Sequence, residues 1–327
     1  MKIQSDYLTE GLFGQVFAWM LEILPYLESK KLRPEWLIRT KNYGQPPDFN
    51  IFPSIICTAY APEPGGDVAS LEQLQARKKY NLRHNFSLAA ACWNSYFRFT
   101  DDVYQRLDKF WQENLAGQTV LGLHYRGTDK NTDTFQTNPV SQYQFLCVVE
   151  DFLKTHPDVT AIFVASDDAR FLKSVSGFAR TVSHVQERSA GATPLWNSHQ
   201  AADNQAVAKD AILDCLTLSR CRYVLKCMSQ LSAFSKVFAP ELEVYRVSAC
   251  KPNWFPEAYI PCYRSKNRAM QSLLGALQDG DYLEPLYWKA LTVHRRAKRL
   301  AAQAWKRRAR IGEAVRRVIF RKEPPVV

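Results

Sequence analysis

One stretch constrains this chain more than any other: Val120-Leu121-Gly122-Leu123-His124-Tyr125-Arg126-Gly127-Thr128-Asp129-Lys130. Its apolar start breaks into a cluster that holds a histidine, an arginine, an aspartate and a lysine within seven positions. Valine, leucine and tyrosine favour a strand, and Gly127 permits the backbone turn that ends one. In an α/β fold, ligands bind just beyond the carboxyl ends of such strands. Cationic donors there suit an anionic ligand, because a guanidinium pairs bidentately with phosphate oxygens.

The rest of the chain reads as a frame for that strand end. Residues 10–17 lead into an amphipathic helix ending near Lys30, and Trp36-Leu37-Ile38 reads as a strand. Pro46-Pro47 and residues 62–66 are expected loops, while 68–80 and 85–115 have helical spacing, the second ending near Gly117. After the strand at 120–125 come a loop (127–139), a helix (140–155) and a strand at 159–165 that runs into Ser166-Asp167-Asp168. That trio caps a helix reaching about Ser176. A weak strand at 181–185, a polar loop at 186–203 and a periodic helix at 204–219 follow. Tyr223-Val224-Leu225 then leads through Ser229-Gln230 into another helix, and a strand at 243–247 closes the series. Strands alternating with helices predict a parallel sheet in an α/β domain. Three strand ends thus collect polar residues: His124, Arg126, Asp129 and Lys130; Ser166, Asp167 and Asp168; Ser229 and Gln230.

Composition narrows the options. The 327 residues suffice for two modest domains, and 46% hydrophobic with 13% aromatic content marks a globular chain. No run of eighteen apolar residues occurs, and the N-terminus lacks the pattern of a secretory signal, so a cytoplasmic protein is expected. The eight cysteines (Cys57, Cys92, Cys147, Cys215, Cys221, Cys227, Cys250, Cys262) form no C-x-x-C and are expected as buried thiols. No histidine pair has metal-ligand spacing, so neither a metal nor a cofactor is expected. The whole net charge of +11 lies in residues 289–327, which hold 13 Lys and Arg against Glu313 and Glu323. Val293, Ala297, Leu300, Ala304, Ile311, Val315 and Val318 line one helical face of this tail. Such a basic amphipathic helix over 289–322 suits an anionic membrane surface, with a packed or solvated helix as the other reading. Nucleic acid is not an expected partner, since no aromatic-interleaved patch or binding module accompanies the charge.

Two phosphate motifs are absent. Gly122-x4-Gly127 begins like a P-loop, but Thr128-Asp129 stands where Lys-Ser/Thr is required. No G-x-G-x-x-G follows any strand. A phosphate would be held here by side chains and a helix N-terminus.

The three polar strand ends resemble the three motifs of the GDP-fucose-dependent fucosyltransferase superfamily, which includes the α1,6-, protein O- and bacterial nodulation enzymes. Gly122-Leu123-His124-Tyr125-Arg126-Gly127-Thr128-Asp129-Lys130 resembles the first, G-x-H-x-R-x-x-D-K. Val164-Ala165-Ser166-Asp167-Asp168 resembles the second. Asp214-Cys215-Leu216-Thr217-Leu218-Ser219, with Tyr223-Val224-Leu225 and Ser229-Gln230, resembles the third. Order and spacing match across about residues 118–240, and the Gly11–Gly14 region is similar more loosely.

The resemblance implies a GT-B-like fold of two α/β domains. An acceptor-side domain would span 1–117, a GDP-sugar-binding domain with a parallel sheet 118–265, and a helical extension with the basic tail 266–327. It implies an inverting, metal-independent transfer of fucose from GDP-fucose to a glycan hydroxyl. The setting would be bacterial surface polysaccharide or lipid-linked glycan synthesis, in the cytoplasm or on the inner face of the membrane. Another GDP-sugar as donor, or a non-catalytic nucleotide-binding scaffold at the membrane, are the alternatives. By the same resemblance Arg126 clamps the diphosphate, stabilising charge that develops on the leaving group. Ser229, Gln230 and nearby N–H groups would bind phosphate. His124 and Asp214 would contact guanosine, and Asp167 and Asp168 would hold the nucleotide or cap the local turn. Arg126, Asp129, Lys130 and Asp133 make up the candidate catalytic set, with Asp129 or Asp133 taking the acceptor proton. The chain departs from the α1,6 pattern at two positions. Gly127 stands where many of those enzymes have a second arginine, and Thr134 where they place a carboxylate.

Overall fold

Strand β6 (Val120–Tyr125) lies at the centre of a five-stranded parallel sheet, buried at every position along its length. A strand covered on both faces reads as an unbroken apolar run, because neither face meets water. The computed structural model describes residues 1–8, 11–40, 42–43, 49–63, 65–77, 85–127, 140, 142–178, 180–186, 188, 203–247 and 254–263. The expectations for the loops at 46–47 and 128–139, most of the loop at 186–203, and the tail beyond residue 263 lie outside these described residues.

Before β6 the chain forms β1 (Lys2–Leu8), a π-helical segment (Leu12–Phe17) continuous with α1 (Ala18–Ser29), and β2 (Glu35–Thr40). There follow β3 (Ile56–Thr58), β4 (Val68–Ser70), α2 (Leu71–Arg77), α3 (Phe86–Tyr96), β5 (Phe97–Phe99) and α4 (Asp101–Asn114). After β6 come α5 (Gln142–Thr155), β7 (Ala161–Ser166), α6 (Ala169–Val175), β8 (Thr181–Val182) and α7 (Asn204–Arg220). Then β9 (Tyr223–Lys226), α8 (Gln230–Phe238) and β10 (Glu243–Arg246) complete the sheet, and a 3₁₀ turn covers Glu257–Tyr259.

The expected α/β architecture with a parallel sheet in its C-terminal part is therefore present. The large sheet has the order β10-β9-β6-β7-β8 with every pairing parallel. Chain order runs outward from β6 to β8 on one side, then returns to β9 and β10 on the other. This is the doubly wound order, whose reversal between β6 and β9 opens a crevice at the carboxyl ends of those strands. His124 of β6 is paired in register with Lys226 of β9 at that point. A second parallel sheet, β2-β1-β4, precedes it, and β3 and β5 form a small antiparallel pair.

The helices join the two sheets. One apolar core combines Phe17, Leu21, Trp93 and Phe99 with Ile212, Leu213 and Phe234 of α7 and α8. Ion pairs Arg106–Asp210 (2.7 Å), Lys209–Asp102 (2.8 Å) and Arg220–Asp108 (2.6 Å) tie α4 to α7. Met1–Arg268 form one compact unit, and residue 117 lies within it, between α4 and β6.

Two helical expectations need correction. Residues 68–70 are a strand, not the start of a helix, because Lys2–Gln4 pairs with them in parallel register. The span 85–115 is broken by β5, where Phe97 and Phe99 are buried and Arg98 is exposed. That period of two is a strand signature inside a helical stretch, and Thr100 with Asp101 and Asp102 opens a new helix. Strand β1 had no clear signal, since one of its core-facing residues is Ser5, whose hydroxyl accepts from the Arg39 N–H at 3.1 Å.

Gly122 has a packing reason. A Cβ there would lie 2.7 Å from Leu218 Cδ2 and 3.1 Å from Val224 Cγ2. Gly122→Ala is expected to cost about 1–3 kcal/mol by overpacking, measured by urea unfolding, whereas Gly14→Ala, helical and facing open space, is expected to raise stability by about 0.4–1 kcal/mol.

Candidate functional site

Where β6 and β7 end, the backbone is held by a short chain of bonds. The Ser166 hydroxyl donates to the Tyr125 carbonyl at 2.7 Å and accepts from the Asp168 N–H at 3.1 Å. The Tyr125 ring stacks on Phe171 at 4.3 Å. The two aspartates that follow take different tasks. Asp168 is buried and accepts from the Arg170 N–H at 2.9 Å and from its guanidinium at 2.9 and 3.1 Å, capping α6. Asp167 turns toward Arg126. It accepts from the Gly127 N–H at 3.2 Å, and its other oxygen lies 3.7 Å from Arg126 Nε.

Gly127 sits in this turn with no room for a side chain. A Cβ would lie 2.8 Å from the Tyr125 ring and 2.9 Å from Asp168 Cβ, besides striking the Asp168 carboxylate. Position 127 is thus closed to any side chain while Tyr125 and Asp168 keep their places.

Beyond the strand ends lies a cavity of about 120 Å³. His124 and Arg126 line it from β6, Ser166 and Asp167 from β7, and Gln186 from the segment after β8. Helix α7 supplies Val207, Asp210, Ala211 and Asp214, and α8 supplies Leu231. Four of the sequence candidates, His124, Arg126, Asp167 and Asp214, thus converge, although 88 positions separate Arg126 from Asp214. The volume is below the ~300–1,000 Å³ typical of pockets that enclose whole ligands, so the described walls fit one ring rather than a complete nucleotide sugar.

Electrostatics give each wall a character. His124 is buried, and its Nδ1 shares a 2.9 Å hydrogen bond with the Ser232 hydroxyl. Burial, then the neighbouring Lys226 and Arg126 charges, hold its pKa well below the ordinary histidine value, so the imidazole is neutral near pH 7. Asp214 is also buried. Its Oδ2 accepts from Gln186 Nε2 at 2.8 Å, while Oδ1 has no partner among the described residues. Burial pushes its carboxyl up to about 7, against the opposing pull of the Gln186 bond and the Arg188 charge. Arg188 donates to the carbonyls of Ser166 and His184, the latter at 2.7 Å. His184 packs on Phe110 and meets Thr217 Oγ1 at 2.8 Å; burial, then Arg106 and Arg188, bring its pKa down to about 4.

Ser229 and Gln230 stand outside this lining, at the start of α8. Ser229 is buried ahead of α8 with its hydroxyl unpartnered among the described residues, and its N–H is directed to Glu257. The Gln230 amide donates to the Phe255 carbonyl at 3.2 Å. Glu257 also forms an ion pair with Lys226, both side chains fully buried. That pair, with Gln230–Phe255, anchors the β9–α8 turn. Asp129, Lys130 and Asp133 lie outside the described residues.

Sequence reading missed Gln186, Arg188, Asp210, Lys226 and Glu257. Asp210 was recoverable, since it lies one helical turn before Asp214 on the same face. Gln186 and Arg188 sit in irregular backbone with no periodicity to expose them. Among the described residues, no group of three His, Cys, Asp or Glu is placed to hold a metal ion. Seven described cysteines are free thiols, of which Cys57 and Cys262 are only partly buried. No described helix is long and apolar enough to cross a membrane.

No protein-family model and no curated protein matches the chain. Solved structures do. NodZ alpha-1,6-fucosyltransferase soaked with GDP-fucose is 14% identical, with a TM-score of 0.49 over 77% of this chain and 97% of that one. Fucosyltransferase NodZ from Bradyrhizobium gives 0.47 at 14% identity, covering 76% and 95% of the two chains. POFUT1 in its apo form gives 0.39 at 11%, covering 75% and 97%.

Two outcomes test the site's electrostatics. The folded state keeps the Asp214 proton up to about pH 7, whereas the unfolded chain releases it near 4. The stability of the wild type relative to Asp214→Asn is therefore expected to fall as pH rises from about 4 to about 7 and to level above, read from Tm differences. Glu257→Ala, which strands the buried Lys226 ammonium, is expected to cost about 3–5 kcal/mol, and the pair Lys226→Met/Glu257→Leu to recover most of it.

Proposed function

We propose that this protein is a metal-independent, inverting glycosyltransferase that moves fucose from GDP-fucose to a glycan hydroxyl. The observation that carries the reading is the convergence of Arg126, His124 and Asp214, one residue set from two motif-bearing segments, on one cavity at the carboxyl ends of β6 and β7. Neutral His124 and the buried Asp214 carboxylate suit a nucleobase, and Arg126 suits its diphosphate. Ser229 and Gln230, at the start of α8 across the crevice, suit the phosphates or sugar that extend beyond the cavity.

In the transfer, the acceptor oxygen attacks the fucose anomeric carbon from the face opposite the diphosphate. The new C–O bond forms as the bond to the β-phosphate oxygen breaks, and that electron pair stays on GDP. The acceptor proton passes to Asp129 or Asp133. Arg126, its guanidinium steadied beside Asp167 at 3.7 Å, stabilises charge growing on the leaving oxygen, and Lys130 adds to that field. Asp168 keeps its capping role and holds the turn that aims Arg126. The closed space at Gly127 leaves the diphosphate one cation fewer than in many α1,6 enzymes.

On this reading residues 1–117 present the acceptor and 118–265 hold the donor. The basic segment 289–322 draws the enzyme to an anionic membrane surface, where lipid-linked or surface polysaccharide is assembled on the cytoplasmic side. The test is transfer from, or hydrolysis of, labelled GDP-fucose beside GDP-mannose. GDP-fucose is expected to be the preferred donor, and Arg126→Ala to lower kcat by about 10²–10³ in a protein that stays folded. Full activity in that variant, or equal use of both donors, would reject the corresponding part of the proposal.

A further inference from the structure

We infer that Gln186 is a specificity-determining residue for the nucleobase, its side-chain carbonyl accepting from the exocyclic 2-amino group of guanine while Asp214 accepts from N1–H. The inference rests on the GDP-sugar reading and assigns the base within it. Two acceptors in the cavity wall, Asp214 Oδ1 and Gln186 Oε1, are buried without partners among the described residues. A buried polar atom left unpaired costs roughly 1–3 kcal/mol, so two together in one cavity mark the place of a ligand with two donors.

Their relation is fixed by chemistry. Gln186 Nε2 donates to Asp214 Oδ2 at 2.8 Å. Once ionised, above about pH 7, the carboxylate has no proton to offer, so the amide nitrogen faces it and the amide carbonyl turns away. The pair then presents two acceptors from two neighbouring side chains. The Watson–Crick edge of guanine offers two adjacent donors, N1–H and the 2-amino group. Adenine and cytosine each set one amino donor beside a ring acceptor, and uracil places its single N–H between two carbonyls. Each of these three bases would meet one protein acceptor with its donor and bring an acceptor of its own against the other. Val207, Ala211 and Leu231 complete the cavity with apolar surface for a planar ring.

Gln186 is also held in place from both sides. Two residues before it, His184 is packed on Phe110 and bonded to Thr217. Two residues after it, Arg188 is bonded to the carbonyls of Ser166 and His184. A side chain on backbone clamped this way meets its ligand without further ordering.

Inosine 5′-diphosphate, which keeps N1–H and lacks only the 2-amino group, separates the two contacts. In calorimetric titration of the full chain, wild type is expected to bind GDP about tenfold or more tightly than inosine diphosphate. Gln186→Leu is expected to bring GDP down to the inosine diphosphate level while inosine diphosphate itself changes little. If Gln186 only braces Asp214, the variant will weaken both nucleotides together and keep their ratio, which would overturn the inference. Should Gln186→Leu fail to fold, Gln186→Met takes its place with the same two outcomes, and equal wild-type affinity for the two nucleotides overturns the inference whatever either variant does. Failure to bind GDP above ADP and UDP would remove the GDP-sugar reading itself, a result distinct from GDP binding without discrimination.

Discussion

The site depends on the complete burial of β6 between β7 and β9. Because that strand is hydrogen-bonded along both edges and packed on both faces, its carboxyl end cannot shift without disturbing the sheet. His124 inherits that rigidity from its register with Ala165 and Lys226, and Arg126 follows one residue beyond the strand. The Ser166 hydroxyl extends the same order past the last ladder bond, joining the Tyr125 carbonyl to the Asp168 N–H. Positioned groups of this kind are what a charged ligand needs, since their cost of ordering is met by the core rather than at binding.

Burial also sets the charges. Asp214 and His124 meet the same low-dielectric environment with opposite results: the carboxyl is driven toward its neutral acid and the imidazole toward its neutral base. The site therefore carries less net charge than its residue list suggests, and Arg126 is the cation among the described residues that line the cavity. Behind it, Lys226 and Glu257 keep their charges only by sharing them. That pair makes the turn before α8 a fixed part of the scaffold.

Much of this was legible in the sequence wherever local pattern and tertiary role agree. The strand at 120–125, the capping by Asp168 and the periodic helix at 204–219 each follow from residues that speak for themselves. Legibility failed where a contact distant in sequence decides the outcome. Val68–Ser70 is a strand only because β1 lies beside it, and Ser5 hides β1 by placing a hydroxyl where an apolar residue would signal burial. The site divides the same way. His124 and Asp214 sit on regular elements and Arg126 directly follows one, whereas Gln186 and Arg188 owe their places to contacts with Asp214, Ser166 and His184 that no spacing encodes. Asp167 and Asp168 look equivalent as neighbours, and only the turn geometry separates the cavity-lining carboxylate from the capping one.

Gly127 carries a consequence for how such a site can change over generations. Because Tyr125 and Asp168 fill the space a side chain would need, an arginine cannot arrive there by one substitution in an otherwise intact protein. The capping aspartate or the stacked tyrosine would have to yield first, and either loss alone would loosen the turn that aims Arg126. Any larger residue at 127 therefore has to be accompanied by a change at Tyr125 or Asp168.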